Sequence, residues 1–205
     1  YAAQLTEDIV LPECYIDQQI FGDVRYFPEE LLKEIDTVIY LSAISNDPMG
    51  NKFEDVTLDI NYKSCISIAK KAKKNGVNHF VFASSCSIYG IADDSERTEK
   101  SETNPLTAYA KSKVYSEVEL EKLSDNDFII TCLRFATACG MSPRIRLDLV
   151  LNDFIASALT SKEIVILSDG SPWRPLIHVY DMSKALEWAS IRGIENGGSF
   201  LVVNV

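Results

Sequence analysis

The sequence predicts an α/β fold in which helices cover both faces of a parallel sheet. The prediction rests on an alternation along the chain. Short apolar runs rich in β-branched residues, typical of buried strands, alternate with longer segments of helical periodicity. The predicted strands are Gln18 to Phe21, Thr37 to Ser42, His79 to Ala83, Phe128 to Leu133, Glu163 to Leu167 and Phe200 to Val205. The predicted helices are Pro28 to Ile35, Val56 to Asn75, Ala108 to Leu123 and Leu149 to Thr160.

The boundaries of these elements follow from local chemistry. Polar or small residues close each apolar run, as they do at strand ends. The longest predicted helix ends at Asn75-Gly76, a common stop signal, and Lys73 and Lys74 lie in its last turn, where positive charge suits the helix dipole.

The composition is that of a globular protein with one domain or little more. Of the 205 residues, 46% are hydrophobic and 24% are charged. Thirty acidic against twenty basic side chains give a net charge of -10. This charge repels nucleic acids and anionic lipid at long range, so we expect neither as a partner. A few arginines or a helix N-terminus can still hold an anionic substrate.

Cysteine usage and hydropathy indicate a reduced, cytoplasmic protein. The cysteines are odd in number and show no paired spacing, so we expect free thiols. They are Cys14, Cys65, Cys86, Cys132 and Cys139. No apolar run reaches the ~18 residues that cross a bilayer, and the sequence does not begin with a basic region followed by an apolar one.

The two ends of the chain do not match a complete sheet of this kind. An open parallel sheet normally begins with a strand, a glycine-rich turn and a helix. No G-x-G-x-x-G turn occurs in the sequence, and no further element is predicted after the strand Phe200 to Val205. We therefore expect an incomplete chain that lacks the N-terminal βαβ start.

Tyr109 and Lys113 have the clearest chemical meaning. A separation of four residues in a helix places both side chains on one face, a single turn apart. A tyrosine hydroxyl with a pKa near ~10 is a poor base at neutral pH, and a nearby ammonium favours its phenolate. The pair predicts a proton-transfer centre, although the same spacing is common in helices without such a role.

Ser85 is the third candidate catalytic residue. The strand His79 to Ala83 leads directly into Ser84-Ser85-Cys86-Ser87. Its hydroxyls therefore stand at the carboxyl end of a parallel strand, where ligands bind in open α/β sheets. A serine there can hydrogen-bond a substrate hydroxyl or ketone and share its proton with the tyrosine. A serine-rich turn without function is the alternative.

With these residues in this order, the sequence resembles an extended short-chain dehydrogenase/reductase of the nucleotide-sugar epimerase and dehydratase family, similar to UDP-glucose 4-epimerases. Gly22 to Arg25 resembles the family's acidic turn after the third strand, Val38 to Ala43 its fourth strand, and Leu133 to Thr137 the strand and loop beyond the catalytic helix. The resemblance implies a Rossmann-like, doubly wound parallel sheet with part of a smaller C-terminal substrate-binding lobe.

The resemblance also implies a cofactor, NAD, with NADP as the alternative. The residues that it assigns to the cofactor are Asp23, Val24, Leu41, Ser42, Ala43, Asn61, Ala83, Tyr109, Lys113 and Phe135. Residues 1–140 would form an incomplete NAD-binding domain, and residues 141–205 a partial substrate-binding region interleaved with the last strands.

A second set of residues resembles the family's sugar-nucleotide half of the site. These substrate-binding candidates are Ser85, Ser87, Thr137, Asn152 and Arg174. In the family, an arginine at the position of Arg174 holds the diphosphate, which agrees with the preference of a guanidinium fork for phosphate oxygens. Arg144 and Arg146 are further anion candidates, although a surface loop explains them equally well.

Some residues near these segments invite other interpretations. His178 is not expected to bind a metal, because His79 is the only other histidine and no carboxylate or cysteine lies at ligand spacing. Cys86 and Cys139 have no histidine close in sequence, so we expect packing residues and not nucleophiles.

The resemblance implies oxidation of a sugar to a transient keto intermediate. Tyr109 would be the base, Lys113 would lower its pKa and hold the nicotinamide ribose, and Ser85 would bridge tyrosine and substrate. Family dehydratases carry an Asp and a Glu just after the catalytic serine or threonine. Cys86 and Ser87 stand there instead and cannot perform that elimination.

Epimerisation is therefore the leading prediction, with a UDP-sugar 4-epimerase as the most specific form. A nucleotide-sugar reductase or dehydratase of the same family and a non-catalytic dinucleotide-binding regulator are the alternatives. A homodimer formed through a pair of helices, one of which bears Tyr109, is implied by the resemblance as well.

Overall fold

The computed structural model describes residues 15–45, 47–91, 95–142, 144–166, 168–170 and 173–205, and these form two compact units. The larger unit consists of Gly22–Phe135 and Lys184–Val205, and the smaller contains Ala136–Ser183 and the described residues up to Phe21.

The α-helices of the described chain are α1 (Asp47–Lys52), α2 (Glu54–Leu58), α3 (Ser64–Lys74), α4 (Ala108–Glu121), α5 (Val150–Thr160) and α6 (Val179–Ile191). The strands are β1 (Thr37–Tyr40), β2 (His79–Ser85), β3 (Ile129–Phe135), β4 (Thr137–Cys139), β5 (Leu176–His178) and β6 (Phe200–Asn204). A π-helical turn, Asp59–Lys63, joins α2 to α3, so the predicted helix Val56 to Asn75 is continuous but locally widened.

The larger unit is built on a parallel sheet with the strand order β1-β2-β3-β6. In its register His79 pairs with Ile129 and Ser85 pairs with Phe135. All the strands run in one direction, so their carboxyl ends lie along one edge. That edge carries Ser85.

Alternation along the strands buries both faces of this sheet. Phe80 and Phe82 face one way and pack in a core with α3 and α4, whereas Val81, also fully buried, faces the other way. On that second face the hydroxyl of Thr37 donates to the carbonyl oxygen of Ser190, in the last turn of α6, at 3.0 Å. Helices thus lie on both sides, and the predicted α/β class is confirmed.

The smaller unit contains a parallel pair of strands that the sequence did not predict. β4 and β5 pair from Thr137 with Leu176 to Cys139 with His178. Each of these strands has only three residues, which is too few to show the alternation of apolar and polar residues that identifies a strand in a sequence.

Three predicted elements differ in the structure. Gln18 to Phe21 is not a strand, and its Phe21 side chain is 87% exposed. Residues 163–166 of the predicted strand Glu163 to Leu167 are also unpaired and exposed, while residue 167 lies outside the described part of the chain. Both runs have strand-forming residues but pair with no strand in the described part of the chain, and β-propensity acts only through such neighbours.

The third difference is the predicted helix Pro28 to Ile35, which is reduced to a single 3₁₀ turn, Glu29–Leu32. Lys33 adopts an extended backbone, and Glu34 has a φ of 60°. These conformations stop the helix after one turn, and Leu32 is the side chain of the turn that reaches the core.

Within the described residues, no helix is both long and apolar enough to span a bilayer.

Candidate functional site

The first part of the site lies at the carboxyl end of β2. Ser85 is 8% exposed and caps the 3₁₀ turn Cys86–Tyr89. Its Oγ accepts a hydrogen bond from the backbone N–H of Ser87 at 3.2 Å, and the two serine hydroxyls lie 2.9 Å apart. The structure therefore brings together Ser85 and Ser87, two of the predicted substrate contacts, as a hydroxyl pair at the carboxyl edge of the sheet.

Gly90 closes this turn and is required there by its conformation. Its φ is 68°, and a Cβ at this position would collide with the backbone oxygen of Asn104. We expect Gly90→Ala to lower the free energy of unfolding by roughly 2–4 kcal/mol, because strain and collision act together. Urea titration measures the change. Gly76→Ala is the matched control, because Gly76 has a φ of 79° with open space around it, and its loss should be nearer ~1 kcal/mol. Equal losses would contradict the collision.

The second part of the site is α4. The helix begins at Thr107, whose Oγ1 accepts from the N–H of Ala110 at 3.2 Å, a common N-cap. This start fixes which side chains face the sheet. Tyr109 is half-buried, and Lys113, one turn later, is 2% exposed.

Lys113 and Tyr109 are in contact, as the sequence predicted. The Lys113 Nζ lies 5.3 Å from the centre of the Tyr109 ring and 4.7 Å from that of Phe82. It donates to the carbonyl oxygen of Ala83 at 2.6 Å. Ala83 lies two residues before Ser85, so one hydrogen bond fastens the Tyr109 and Lys113 helix to the strand that carries Ser85.

The electrostatics of Lys113 are set by burial. Desolvation lowers the pKa of Lys113 to about 8, against the raising influence of the Cys65 and Cys132 thiols and the Glu117 carboxylate. The group is therefore largely an ammonium at pH 7 and loses its proton as the pH rises through about 8. A charge held this close to a tyrosine ring favours the phenolate.

Asn61 has a structural role in the chain, in addition to the cofactor contact that the sequence predicts. Its side chain is fully buried in the π-helical turn. Its amide accepts from the N–H of Ile44 at 2.8 Å and donates to the Ile44 oxygen at 3.0 Å and to the Ser112 hydroxyl at 3.1 Å. Asn61 thus ties the loop after β1 to α4. Direct contact with a cofactor stays a prediction.

Other residues assigned to the cofactor lie around the same edge. Leu41 and Ser42 follow β1 and are exposed, Ala43 is half-buried, and Phe135, at the end of β3, is buried. Their contacts with a cofactor stay predictions.

The acidic turn at Asp23 is formed as an ion pair. The Asp23 carboxylate binds the guanidinium of Arg25 at 2.5 Å, and this hydrogen bond lowers the pKa of Asp23 to about 2. Val24, the next residue, packs on the core. The side chain of Asp23 is thus already engaged, and its role toward a cofactor stays a prediction.

Three substrate-binding candidates belong to the smaller unit. Thr137 is half-buried in β4. Asn152 is 7% exposed and organises the loop between β4 and α5, because it accepts from the N–H of Gly140 at 3.2 Å and donates to the Arg146 oxygen at 3.0 Å. Arg174 is exposed. Their roles toward a substrate stay predictions.

The remaining candidates of this unit have structural partners. Arg146 pairs with Asp148 at 2.6 Å. His178 Nδ1 accepts from the N–H of Tyr180 at 3.2 Å, and Cys139 is buried with its thiol donating to the Ile177 oxygen at 3.3 Å. No group of three potential metal ligands occurs among the described residues.

Sequence reasoning missed a buried ion pair behind the site. Arg134, on β3, binds Glu117, on α4, at 2.6 Å, and each side chain is 8% exposed. The sequence does indicate that such a pair exists, because an arginine inside the apolar run Ile129–Phe135 requires a buried partner. The identity of that partner depends on tertiary structure.

Known proteins share this architecture. Residues 19–205 match the family model described as the NAD dependent epimerase/dehydratase family. A protein described as an uncharacterized UDP-glucose epimerase, YtcB, from Bacillus subtilis is 28% identical over 76% of the chain. A putative UDP-glucose 4-epimerase from Methanocaldococcus jannaschii is 30% identical over 75% of the chain. Among solved structures, MoeE5 in complex with UDP-glucose and NAD is 28% identical, with a TM-score of 0.78, over 91% of the chain and 62% of its own length.

The chain spans about half the length of these curated relatives, 49% of the first and 51% of the second. The family description agrees with the predicted enzyme class and with NAD as its cofactor. The family match covers far more than half of the 205 residues and includes Ser85, Tyr109 and Lys113. The chain therefore belongs to the NAD-dependent epimerase/dehydratase family.

Proposed function

We propose that the protein is an NAD-dependent nucleotide-sugar epimerase, in its most specific form a UDP-sugar 4-epimerase, that acts through a transient keto sugar. The observation that carries the proposal is the buried Lys113 ammonium, held 5.3 Å from the Tyr109 ring and fixed to Ala83 beside Ser85. A buried lysine that contacts a half-exposed tyrosine is an arrangement that makes the tyrosine usable as a base at neutral pH.

Each residue of the site has a distinct role in the proposal. The Tyr109 phenolate removes the proton from the sugar hydroxyl and returns it in the reverse step. Lys113 supports the phenolate with its charge. Ser85 donates a hydrogen bond to the sugar oxygen, and its pairing with Ser87 at 2.9 Å restricts the orientation of its hydroxyl.

The residues at the carboxyl edge of the sheet fit a dinucleotide. The exposed Leu41 and Ser42 lie after β1 at this edge, and Ala83 and Phe135 lie at the ends of β2 and β3. We assign them, with Tyr109, to the nicotinamide half of NAD. Bound NAD supplies a hydride acceptor and donor at the sugar carbon.

The choice of epimerisation over dehydration depends on the turn after Ser85. Elimination of water from a keto sugar needs an acid and a base at the leaving group. Cys86 is half-buried and Ser87 is exposed, and neither is a carboxyl group. The turn therefore supports oxidation and return of the hydride to the opposite face of the sugar.

We assign the diphosphate of the substrate to Arg174, which is exposed and forms no hydrogen bond or ion pair with any residue that the structure describes. We expect Arg174→Ala to raise the Kd of UDP by roughly 10- to 100-fold, because hydrogen bonds to a charged group contribute ~1.5–3 kcal/mol. Calorimetry with the complete protein measures it, with NAD affinity as an internal control. Arg144→Ala is the comparison, since Arg144 is also exposed in this unit. An unchanged Kd for Arg174→Ala would remove the residue from this role.

The decisive experiment is product analysis. The complete protein is incubated with NAD and UDP-glucose, UDP-glucuronic acid or UDP-N-acetylglucosamine, and the products are identified by NMR. Conversion to the 4-epimer supports the proposal. A 4-keto-6-deoxy product identifies a dehydratase, and NAD binding without turnover identifies a regulator. In a parallel incubation with a nucleotide keto sugar and NADH or NADPH, net oxidation of the reduced nicotinamide identifies a reductase. Each of these results would overturn the epimerase.

Assembly and location are parts of the same proposal. A homodimer through α4 is supported by the exposure of Tyr115 and Val118, 45% and 48%, on the outer side of that helix. Light scattering on the complete protein tests it, and a monomer would contradict it. The division into a cofactor domain and a substrate region, and a cytoplasmic location, stay predictions.

A further inference from the structure

Behind the proposed site lies a group of polar side chains, all buried except the half-buried Asn204, that the proposed chemistry does not use. We call it the Glu117 cluster, and it consists of Ser84, Tyr89, Glu117, Arg134 and Asn204. Glu117 Oε1 accepts from the Ser84 hydroxyl at 2.5 Å and from Arg134 Nε at 3.1 Å, and Oε2 accepts from Arg134 Nη2 at 2.6 Å. Arg134 Nη1 donates to the Tyr89 hydroxyl at 2.8 Å, which donates to Asn204 Oδ1 at 2.6 Å.

The members of the cluster come from each element that forms the site. Glu117 lies on α4 one turn after Lys113, and Ser84 is the residue before Ser85 on β2. Tyr89 belongs to the turn that Ser85 begins, and Arg134 and Asn204 lie near the ends of β3 and β6. Glu117 therefore contacts, directly or through Arg134, the same pieces of backbone that carry Ser85, Tyr109 and Lys113.

Stability alone is a weak reason for such a cluster. The free energy needed to remove two charges from water is about as large as the free energy that their attraction returns. A protein with apolar residues of the same shape in their place is often as stable. Burial lowers the pKa of Arg134, but its hydrogen bond and attraction to Glu117 outweigh this effect and raise the pKa above its ordinary value. The Arg134 guanidinium thus keeps its charge, and its hydrogen bonds to the Glu117 side chain are directional, as needed to fix one geometry.

We propose that Glu117 is a positioning residue, which locks the helix of Tyr109 and Lys113 against the strand end of Ser85 through Ser84 and Arg134. This inference rests on the proposed function, because it concerns the geometry of the same site.

The charge of Glu117 also acts on Lys113. The groups that face Lys113 are Cys65 on α3, Cys132 on β3, and Tyr109 and Glu117 on α4, and its hydrogen-bond partner is the Ala83 carbonyl oxygen on β2. Of these, Glu117 is the carboxylate, so its loss favours the neutral amine of Lys113.

The test compares Glu117→Gln, which keeps the shape and removes the charge, with Glu121→Gln, an exposed glutamate at the end of the same helix. In the complete protein we expect Glu117→Gln to lower kcat by roughly tenfold or more, with KM and the Kd of NAD changed by less than about threefold, as for misplaced reacting groups. Glu117→Asp, which retains the charge, should recover part of the loss, and Glu121→Gln should match the wild type. A folded Glu117→Gln protein with unchanged kcat would overturn the proposal.

Two further measurements test the role of Glu117 if the Glu117→Gln protein does not fold or if the protein shows no turnover. If Glu117→Gln does not fold, Ser84→Ala removes only one hydroxyl and should lower kcat by roughly fivefold at constant KM; an unchanged kcat would overturn the proposal.

NMR titration of Lys113 needs no turnover, and the Lys113 signal is assigned by its absence from the spectrum of Lys113→Met. Its midpoint should move to lower pH in Glu117→Gln and stay in place in Glu121→Gln. A protein inactive on every nucleotide sugar would refute the proposed function, whereas an unmoved Lys113 midpoint would refute the role of Glu117.

Discussion

Tyr109→Phe will abolish turnover of nucleotide sugars and leave NAD binding nearly unchanged. The substitution removes one oxygen from a half-buried ring and keeps the contact with the Lys113 ammonium, which lies 5.3 Å from the ring centre. Loss of a positioned acid and base lowers rates by ~10²- to 10⁴-fold, so we expect kcat to fall by at least roughly a hundredfold. Steady-state assays of the complete protein measure kcat, and calorimetry measures NAD affinity.

The matched control is Tyr115→Phe on the same helix. Tyr115 is 45% exposed, and its ring meets that of Tyr62 edge-on at 5.7 Å, away from Lys113. This variant should keep the wild-type kcat within about twofold, because no proton transfer depends on it. Retained activity in Tyr109→Phe, or an equal loss in both variants, would remove Tyr109 from the role of base.

The helix of Tyr109 and Lys113 could be predicted from sequence because the information for it is local. A four-residue separation in a helix is a geometric fact, so contact between Tyr109 and Lys113 needed only the assignment of the helix. The strands β2 and β3 were equally accessible, since a run that is apolar at most positions on both faces is buried on both faces. Phe80 and Val81 illustrate this, with opposite directions and full burial.

Apolar runs without a pairing partner could not be told from strands. Val165 is 59% exposed and Phe21 is 87% exposed, yet both stand in segments of strand-like composition. Pairing is decided by which other segment lies alongside, and the sequence of the run itself carries no such information.

The contacts of the supporting residues of the site could not be predicted from the sequence either, because their partners are distant along the chain. Arg134 could be recognised as an unusual charge inside a strand, but its contacts with Glu117 and Tyr89 span 17 and 45 residues. Asn61 was selected by resemblance as a cofactor contact, which stays a prediction, whereas its hydrogen bonds to Ile44 and Ser112 depend on the π-helical turn that directs its amide. Sequence reasoning thus identified the candidate reacting groups but not the groups that hold them in place.

Lys113→Met tests the electrostatic half of the site, because methionine has a similar length and no charge. Without the ammonium, the Tyr109 phenolate loses the positive charge that supports it, so we expect kcat at pH 7 to fall by roughly a hundredfold or more. The fold should persist, since the buried site of Lys113 is lined by the ring of Phe82 and accepts an apolar side chain. Lys111→Met on the same helix is the control; its partner Glu54 is 3.6 Å away at the surface, and such pairs contribute little.

The pH profile separates the loss of charge from a general loss of activity. In the wild type, the pKa of Lys113 is about 8, so the ammonium is present below that pH and is lost above it. Its support of the phenolate should therefore decline on the alkaline side, and kcat should level or fall above about pH 8. In Lys113→Met the rate should instead keep rising with pH toward ~10, because more phenolate forms without help. A variant whose profile has the wild-type shape at a lower level would show that Lys113 acts by position alone, and a wild-type rate at pH 7 would show that it does not act at all.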